Sequence, residues 1–493
     1  MIVSEEHPGL RMASRPAVGV PGPGGNRLAA LRRMRADPLT RFLDLRRAYG
    51  PVVRLTAWPV SAYLVSDPEA IADALVGGHR AYAKGAARRG RDGRLTVVQP
   101  LSLLLGQGLL TSSGQTHRTN RRLLQPLFHR RRIAGYGATF ATIADSTARR
   151  WRDGQRLDIH AEMSEMTLEI VARTLFDVPL DDALIEVVRT ALRENMPAAG
   201  RRVLPGFAAA ERLPLPAARR RRASRDALDR MVYGLIARRR AAGATGDDLL
   251  SLLLSTQDAE TGARLDDAQV RDEALTLLLA GHETTANALS WTFHLLGANP
   301  QAERALQAEL DTVLGGRPPT IDDLPRLEYT QAVLQEAMRL YPPVWAMGRH
   351  LIEDREVGGH RLPAGSTLLF SQWVVHRDER WWPDPDRFDP SRWLHPGAAT
   401  TGTSTDTDTD TSTSTSTGAT PQRPRFAYFP FGGGPRQCIG NTFALAEGAL
   451  ALAAIARHWS LRPVPGFDVV PHPLVTLRPR DGLPMTAHRR RPS

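Results

Sequence analysis

"FGGGPRQCIG", residues 431–440, holds the only cysteine in a chain of 493 residues. A lone cysteine is most often a small buried hydrophobe. The neighbours of this one argue for another role. Gly432, Gly433 and Gly434 permit tight backbone turns and let peptide N–H groups approach a ligand or a sulfur closely. Directly after Gly440 the run "NTFALAEGALALAAIARHW" (441–459) reads as a helix. Cys438 is therefore expected near a helix N-terminus, where the positive end of the dipole favours a thiolate. Arg436 adds a cation suited to a carboxylate, and Phe431 a ring to cover one side of the loop.

The bulk of the chain limits what such a cysteine can do. A single cysteine excludes a disulfide framework, a multi-cysteine zinc site and a cysteine-held iron–sulfur cluster. It is compatible with a reducing compartment, and a cytoplasmic location is expected. No stretch of 18 apolar residues occurs and the first residues lack a signal-like apolar run, so no membrane anchor is expected. The net charge of +12 invites a nucleic-acid reading. Of the 64 basic residues, however, only Lys84 is lysine, which points to a compositional bias toward arginine rather than selection for phosphate contacts. No nucleic-acid partner is expected.

Along the chain, "YGPVVRLTAWPVSAYLVSDPEAI" (49–71) predicts strands at Val52–Leu55 and Ala62–Val65 and a helix opened by Asp-Pro. Residues 117–340 carry mainly helical spacing, with one long helix over about 267–298. Short strands return around 349–370, and "QWVVHRDERWWPDPDRFDPSRW" (372–393) reads as an irregular packed meander. Residues 1–25 are expected to be a flexible lead-in, and 398–424 a solvated low-complexity insert with almost nothing to bury. The expected architecture is one large domain, 26–488, mainly α with a minor β part.

"AGHETTANALSW" (280–291) lies inside the long helix. Glycine in a helix interior costs about 1 kcal/mol relative to alanine, so Gly281 asks for a reason. Ala280 and Gly281 would let a flat macrocycle lie close. The hydroxyl of Thr284 can bond back to the carbonyl of residue 280, leaving a polar notch. Glu283 and Thr284 then form an acid–alcohol pair able to deliver protons. "HETTA" begins like the zinc-protease pattern HExxH, but residue 286 is alanine and the second ligand is missing. His282 is expected to be a satisfied or solvent-facing histidine.

A thiolate, backbone donors and arginine suit a soft metal centre that carries carboxylates, and haem is the candidate. At Phe431, Gly432, Gly434, Arg436, Cys438 and Gly440, "FGGGPRQCIG" resembles the haem-binding loop of the cytochrome P-450 family. The resemblance extends over about residues 20–485. It implies the cytochrome P-450 fold, haem b with Cys438 as its axial thiolate ligand, and Glu283 and Thr284 as the oxygen-activating pair. His117 and Arg121 in "GQTHRTNRRLLQPLFH" (114–129), and Arg349 in "YPPVWAMGR", match residues that hold the haem propionates. "EAMR" (336–339) matches the family's ExxR motif, whose Glu336–Arg339 pair is completed by an arginine of the meander, here taken as Arg387 in "PDPDRF".

The activity implied is that of a haem-thiolate monooxygenase, which oxidises a hydrophobic small molecule with O2 and two electrons from outside. No dinucleotide or flavin fingerprint precedes Cys438 and little chain follows it. A separate ferredoxin-type donor with its reductase is therefore expected, docking on arginines such as Arg118, Arg122 and Arg130–Arg132. A monomer serving secondary metabolism is the expectation. The segments expected to line the pocket are 97–110, the region near 195–215, Ala280 and 342–347, all mostly apolar. A peroxygenase, a haem-thiolate isomerase or dehydratase, and a non-catalytic haem sensor are the alternatives.

Overall fold

Leucine and alanine surround the stretch from 267 to 298 on nearly every side, so no face of it is content in water. The chain there forms one helix, Asp267–Ala298, of 32 residues, about 48 Å long at the rise of an α-helix. Its start is set by a capping box, in which the Asp266 carboxylate accepts from the Gln269 N–H and the Gln269 side chain returns to Asp266. It ends at Asn299 because Pro300 opens the next helix, Pro300–Leu314. Both limits agree with the span read from sequence.

The computed structural model describes residues 5–11 and 17–490, apart from 18, 26, 56–60, 85, 90–93, 100, 179–180, 200–206, 244–245, 247, 256, 258–261, 263 and 395–422. The expected insert at 398–424 thus lies outside the described residues except for Arg423 and Pro424. Arg423 is not a solvated loop residue, since its guanidinium lies 3.7 Å from the centroid of the Trp382 ring. Part of the pocket region near 195–215 and part of the N-terminal lead-in also lie outside. Within that lead-in, Glu5–Arg11 is a strand paired with Arg94–Val98, and the Ala17 N–H donates to the Tyr63 hydroxyl at 2.8 Å.

The fold is mainly α with small sheets, in a single domain. The long helix packs on Ile159–Leu175 along one side and on Glu328–Leu340 and Asn441–Ala456 along others. Asn441–Ala456, apolar all round and rich in alanine, is buried over most of its length. Gly448 is where it meets Glu328–Leu340 closely, as a Cβ there would fall 2.7 Å from Leu334. The largest sheet has the order Val52–Leu55, Ala62–Val65, Thr367–Phe370, Met347–Leu351, Tyr82–Ala83. Thr367–Phe370 runs parallel to Ala62–Val65 and the other pairings are antiparallel. The first two strands occupy the residues expected from sequence. Among the described residues, no helix is long and apolar enough to cross a membrane.

Candidate active site

The cysteine loop is built by its glycines. Gly432 and Gly434 have φ of +70° and +64°, a region that side chains avoid. At Gly434 a Cβ would also fall 1.8 Å from the Leu75 carbonyl oxygen, so the loop sits directly on the turn Asp73–Gly77. The loop closes on itself through the Cys438 N–H, which donates to Phe431 O at 2.9 Å, and the Gln437 N–H, which donates to Gly434 O at 2.9 Å. The helix Asn441–Ala456 follows, as expected. Cys438 is exposed, yet protein mass surrounds it, so the surface it offers opens onto an internal cleft. Burial pushes its thiol up from the ordinary value, against a hydrogen bond from the Gly440 N–H and the charge of Arg121. The expected lowering is thus corrected: loss of water outweighs the helix terminus, and a thiolate here needs a further positive charge beside it.

Cations from three distant segments join Arg436 of this loop. Arg121 donates to Gln437 O at 2.8 Å and Arg436 to Ser112 O at 2.7 Å. Arg349, buried, donates to Gly348 O at 2.9 Å, and Lys84 to Leu110 O at 2.6 Å. Neither Arg349 nor Lys84 has a carboxylate partner among the described residues. Burial, with the Arg436 charge, holds Arg349 down to about 10. Burial, Arg436 and Arg349 push the Lys84 ammonium well below its usual value. Burial and the charges of Arg436, Lys84, Arg121 and Arg118 lower His117 to about 3, so its ring is neutral. A set of buried and half-buried cations that depress one another is costly by itself and fits an anionic group with carboxylates. Sequence reading found His117, Arg121, Arg349 and Arg436 and missed Lys84, although its being the only lysine was the available signal.

Across the cleft, the long helix opens. Ala280 is exposed and Gly281 and Thr284 are half-buried, while residues on either side of them are buried. The Thr284 hydroxyl donates to Ala280 O at 2.9 Å, which forms the expected notch. Ala280, Thr284 and Ala288 lie on one stripe of the helix, and Phe431 of the cysteine loop packs in the cluster that contains Ala288. The loop therefore abuts the stripe that carries the notch. One expectation changes. A Cβ on Gly281 would meet Val171 at 3.1 Å, so this glycine makes room for the helix Ile159–Leu175 rather than for a macrocycle. Glu283, buried, is anchored by Thr476, whose hydroxyl donates to its Oε1 at 2.6 Å. Thr476 lies in the turn between Pro471–Pro473 and Leu477–Pro479, and no local signal marked it. His282 is buried and satisfied, its Nδ1 3.0 Å from Leu278 O.

Beneath the cysteine loop, Glu336 and Arg339 are fully buried and paired through two contacts of 2.8 Å. Arg339 also donates to the carbonyls of His376, Pro385 and Arg387 at 2.9, 2.6 and 3.0 Å. The meander arginine that faces Glu336 is Arg392, at 3.4 Å. Arg387 contributes only its carbonyl and its side chain is exposed, which corrects the expected triad. "PDRF" and "PSRW" offer arginines five residues apart, and only the path of the chain distinguishes them.

The comparisons with known proteins agree with this arrangement. The family model for cytochrome P450 matches residues 24–481. Cyclooctatin synthase of Streptomyces melanosporofaciens is 38% identical over 474 residues, which cover 95% of this chain and 96% of that protein. Cyclooctat-9-en-7-ol 5-monooxygenase of the same organism is 39% identical over 442 residues, covering 90% and 88%. The crystal structure of the cytochrome P450DA heme domain superposes with a TM-score of 0.81 at 25% identity, over 97% of this chain and 99% of that one. A lone cysteine on a glycine loop, a notched helix across a cleft and this near-complete match together place the chain in the cytochrome P450 family, as a monooxygenase that incorporates molecular oxygen.

Proposed function

We propose that this chain hydroxylates a terpene-type hydrocarbon or alcohol, with haem b held by Cys438 and electrons from an acidic ferredoxin-type donor. The observation that carries the reading is the pairing of the sole cysteine with Arg349 and Lys84, two enclosed cations with no carboxylate partner among the described residues. The family and the fold imply a haem, whose carboxylates suit that set. His117, Arg121, Arg349 and Arg436 would hold them, together with Lys84. Bound there, the haem supplies the oxygen-cleaving chemistry, which a thiolate ligand favours by donating electron density.

The remaining work falls to this chain's own side chains. The Thr284 hydroxyl, anchored on Ala280 O, holds a polar position at the notch. Glu283, its Oε1 held by Thr476, is the acid next to Thr284 in the chain and serves proton delivery to the notch. Apolar residues of 101–110 and 342–347 exclude water and receive a hydrophobic substrate. The names of the relatives support an alicyclic, hydrocarbon-like substrate. A surface depression of about 490 Å³ beside the cysteine loop is lined by Arg118, Arg121, Arg122, His129 and Pro435, which suits docking of an acidic donor.

The test is the absorption spectrum of the reduced, carbon-monoxide-bound protein beside Cys438→Ser. A strongly red-shifted Soret band that is lost in the variant is the expected result. An unshifted band that persists in the variant refutes thiolate ligation by Cys438.

A further inference from the structure

Two carboxylates near the start of the long helix have no part in the chemistry above. Glu273 is 1% exposed. Its Oε2 accepts from the Leu109 N–H at 2.9 Å and its Oε1 from Asn120 Nδ2 at 2.6 Å. Asn120 Nδ2 also donates to Gln107 O at 3.2 Å. The neighbouring Asp272 accepts from the Gln107 N–H at 2.6 Å and from Arg271 at 2.7 Å. Three backbone groups of the turn 106–109 are thus tied by side chains from two helices. The approach is close: a Cβ on Gly106 would fall 2.1 Å from Asp272, and one on Gly108 2.1 Å from Thr276. Gly106 also has a φ of +54°.

The position of this clamp is informative. Glu273, Thr276, Ala280 and Thr284 follow one another at three- and four-residue spacing, so they share a stripe of the helix. The turn is therefore pressed onto the stripe that carries the notch, about two helical turns from Ala280. Its flanking leucines Leu103 and Leu110 remain 38% and 36% exposed. The far end of the same segment is held by the cation set, through Lys84 on Leu110 O and Arg436 on Ser112 O. Burial and the charge of Asp272 push the Glu273 carboxyl up to about 8, despite the bonds from Leu109 and Asn120. A buried carboxyl is a costly way to stabilise a fold, and an apolar side chain of similar volume would serve packing better. What it does supply is an acceptor for a backbone N–H that would otherwise be buried without a partner.

We propose that Glu273, supported by Asp272, is a positioning residue for substrate: it fixes the turn Gly106–Leu110 on the stripe that carries the Ala280–Thr284 notch, so that this turn forms a set wall against which hydrophobic substrates are discriminated. The proposal rests on the reading that the cleft holds a haem and a hydrophobic substrate. Glu273 acts through the turn and touches no reacting atom.

The test uses the full-length, haem-loaded protein and three variants, Glu273→Ala, Glu273→Gln and Asp272→Ala. Hydrogen exchange of the peptide 106–112 reads the clamp directly. Glu273→Ala is expected to speed its exchange about tenfold or more, the loss of a buried acceptor for a backbone donor. Glu273→Gln keeps an acceptor oxygen and is expected to stay within about threefold of the parent. Asp272→Ala removes the acceptor of the Gln107 amide, together with that of Arg271. Difference spectra then compare imidazole, too small to reach the wall, with 4-phenylimidazole, which extends from the iron toward it. In Glu273→Ala the affinity for 4-phenylimidazole is expected to fall about tenfold while that for imidazole is unchanged. Unchanged exchange in Glu273→Ala and Asp272→Ala overturns the clamp, and parallel weakening of both probes overturns its role in discrimination. Absence of any imidazole-induced shift in the parent refutes the haem reading instead, and the exchange result then still decides the clamp.

Discussion

Replacing Arg392 and Arg387 separately by alanine distinguishes the meander arginine that supports the core from the one that does not. Glu336 is fully buried and takes two bonds from Arg339, one from the Asp389 N–H at 3.0 Å and one from Trp393 Nε1 at 3.0 Å, with Arg392 at 3.4 Å. In Arg392→Ala this carboxylate keeps Arg339 but loses its second cation, whose own side chain is only 11% exposed. Losing one partner of a buried charged group costs about 1–3 kcal/mol, short of the cost of breaking the central pair because Arg339 stays in place. Arg387 offers Arg339 only a backbone carbonyl, which alanine retains, and its exposed side chain makes the substitution worth less than about 0.5 kcal/mol. Urea unfolding of the loaded protein, followed by far-ultraviolet circular dichroism, should give a clearly lower midpoint for Arg392→Ala and the parent midpoint for Arg387→Ala. Equal destabilisation by the two variants, or a larger effect of Arg387→Ala, would refute the pairing seen here.

Other outcomes follow from single contacts. Glu447 is fully buried in the helix after the cysteine loop, and burial pushes its carboxyl up to about 8 against the Thr285 hydroxyl. The folded chain therefore keeps a proton that the unfolded chain releases above the ordinary carboxyl value of 4.5. Stability from this site is full below that value and is lost as pH rises toward 8. Glu447→Gln should remove that fall, which thermal unfolding at pH 5, 7 and 9 would read. Thr476→Val takes from Glu283 the hydroxyl that anchors its Oε1 while keeping the volume. Product formed per electron supplied should drop about two- to tenfold, with peroxide appearing in its place and imidazole affinity unchanged. Lys84→Gln removes a cation from the set beside the cysteine loop, and haem should transfer to an acceptor globin about tenfold faster. An unchanged transfer rate would remove Lys84 from the set that holds the carboxylates.

Much of the fold was legible along the chain because its causes are local. Asp266 and Gln269 at one end and Pro300 at the other bound the long helix, and the short apolar runs 52–55 and 62–65, each preceded by a nearby proline, mark two strands. The cysteine loop was legible for the same reason: positive φ at Gly432 and Gly434 is a demand that only the residue type can meet. The bond from Thr284 to Ala280 O likewise follows from helix spacing. Side-chain partners far apart in sequence were not legible. Nothing near "PDRF" or "PSRW" says that Arg392 rather than Arg387 faces Glu336, nor does the sequence around Glu283 mention Thr476, 193 residues away. Gly281 reads as room for a ligand until Val171 of another helix is found against it.

The same division runs through the electrostatics. Residue types and spacing determined that a cysteine, several arginines, an acid and an alcohol are present, and on which elements they stand. Only the packed chain decided their charge states and partners, because desolvation and Coulomb energy depend on distances between groups that the backbone brings together. Lys84, His117, Arg349 and Arg436 come from four separate segments and perturb one another only after folding. The Cys438 thiol is raised by its enclosure, although its place at a helix N-terminus would lower it. Local chain geometry is encoded by neighbours in sequence, whereas the energy of a buried charge is a property of everything within a few ångströms of it in space.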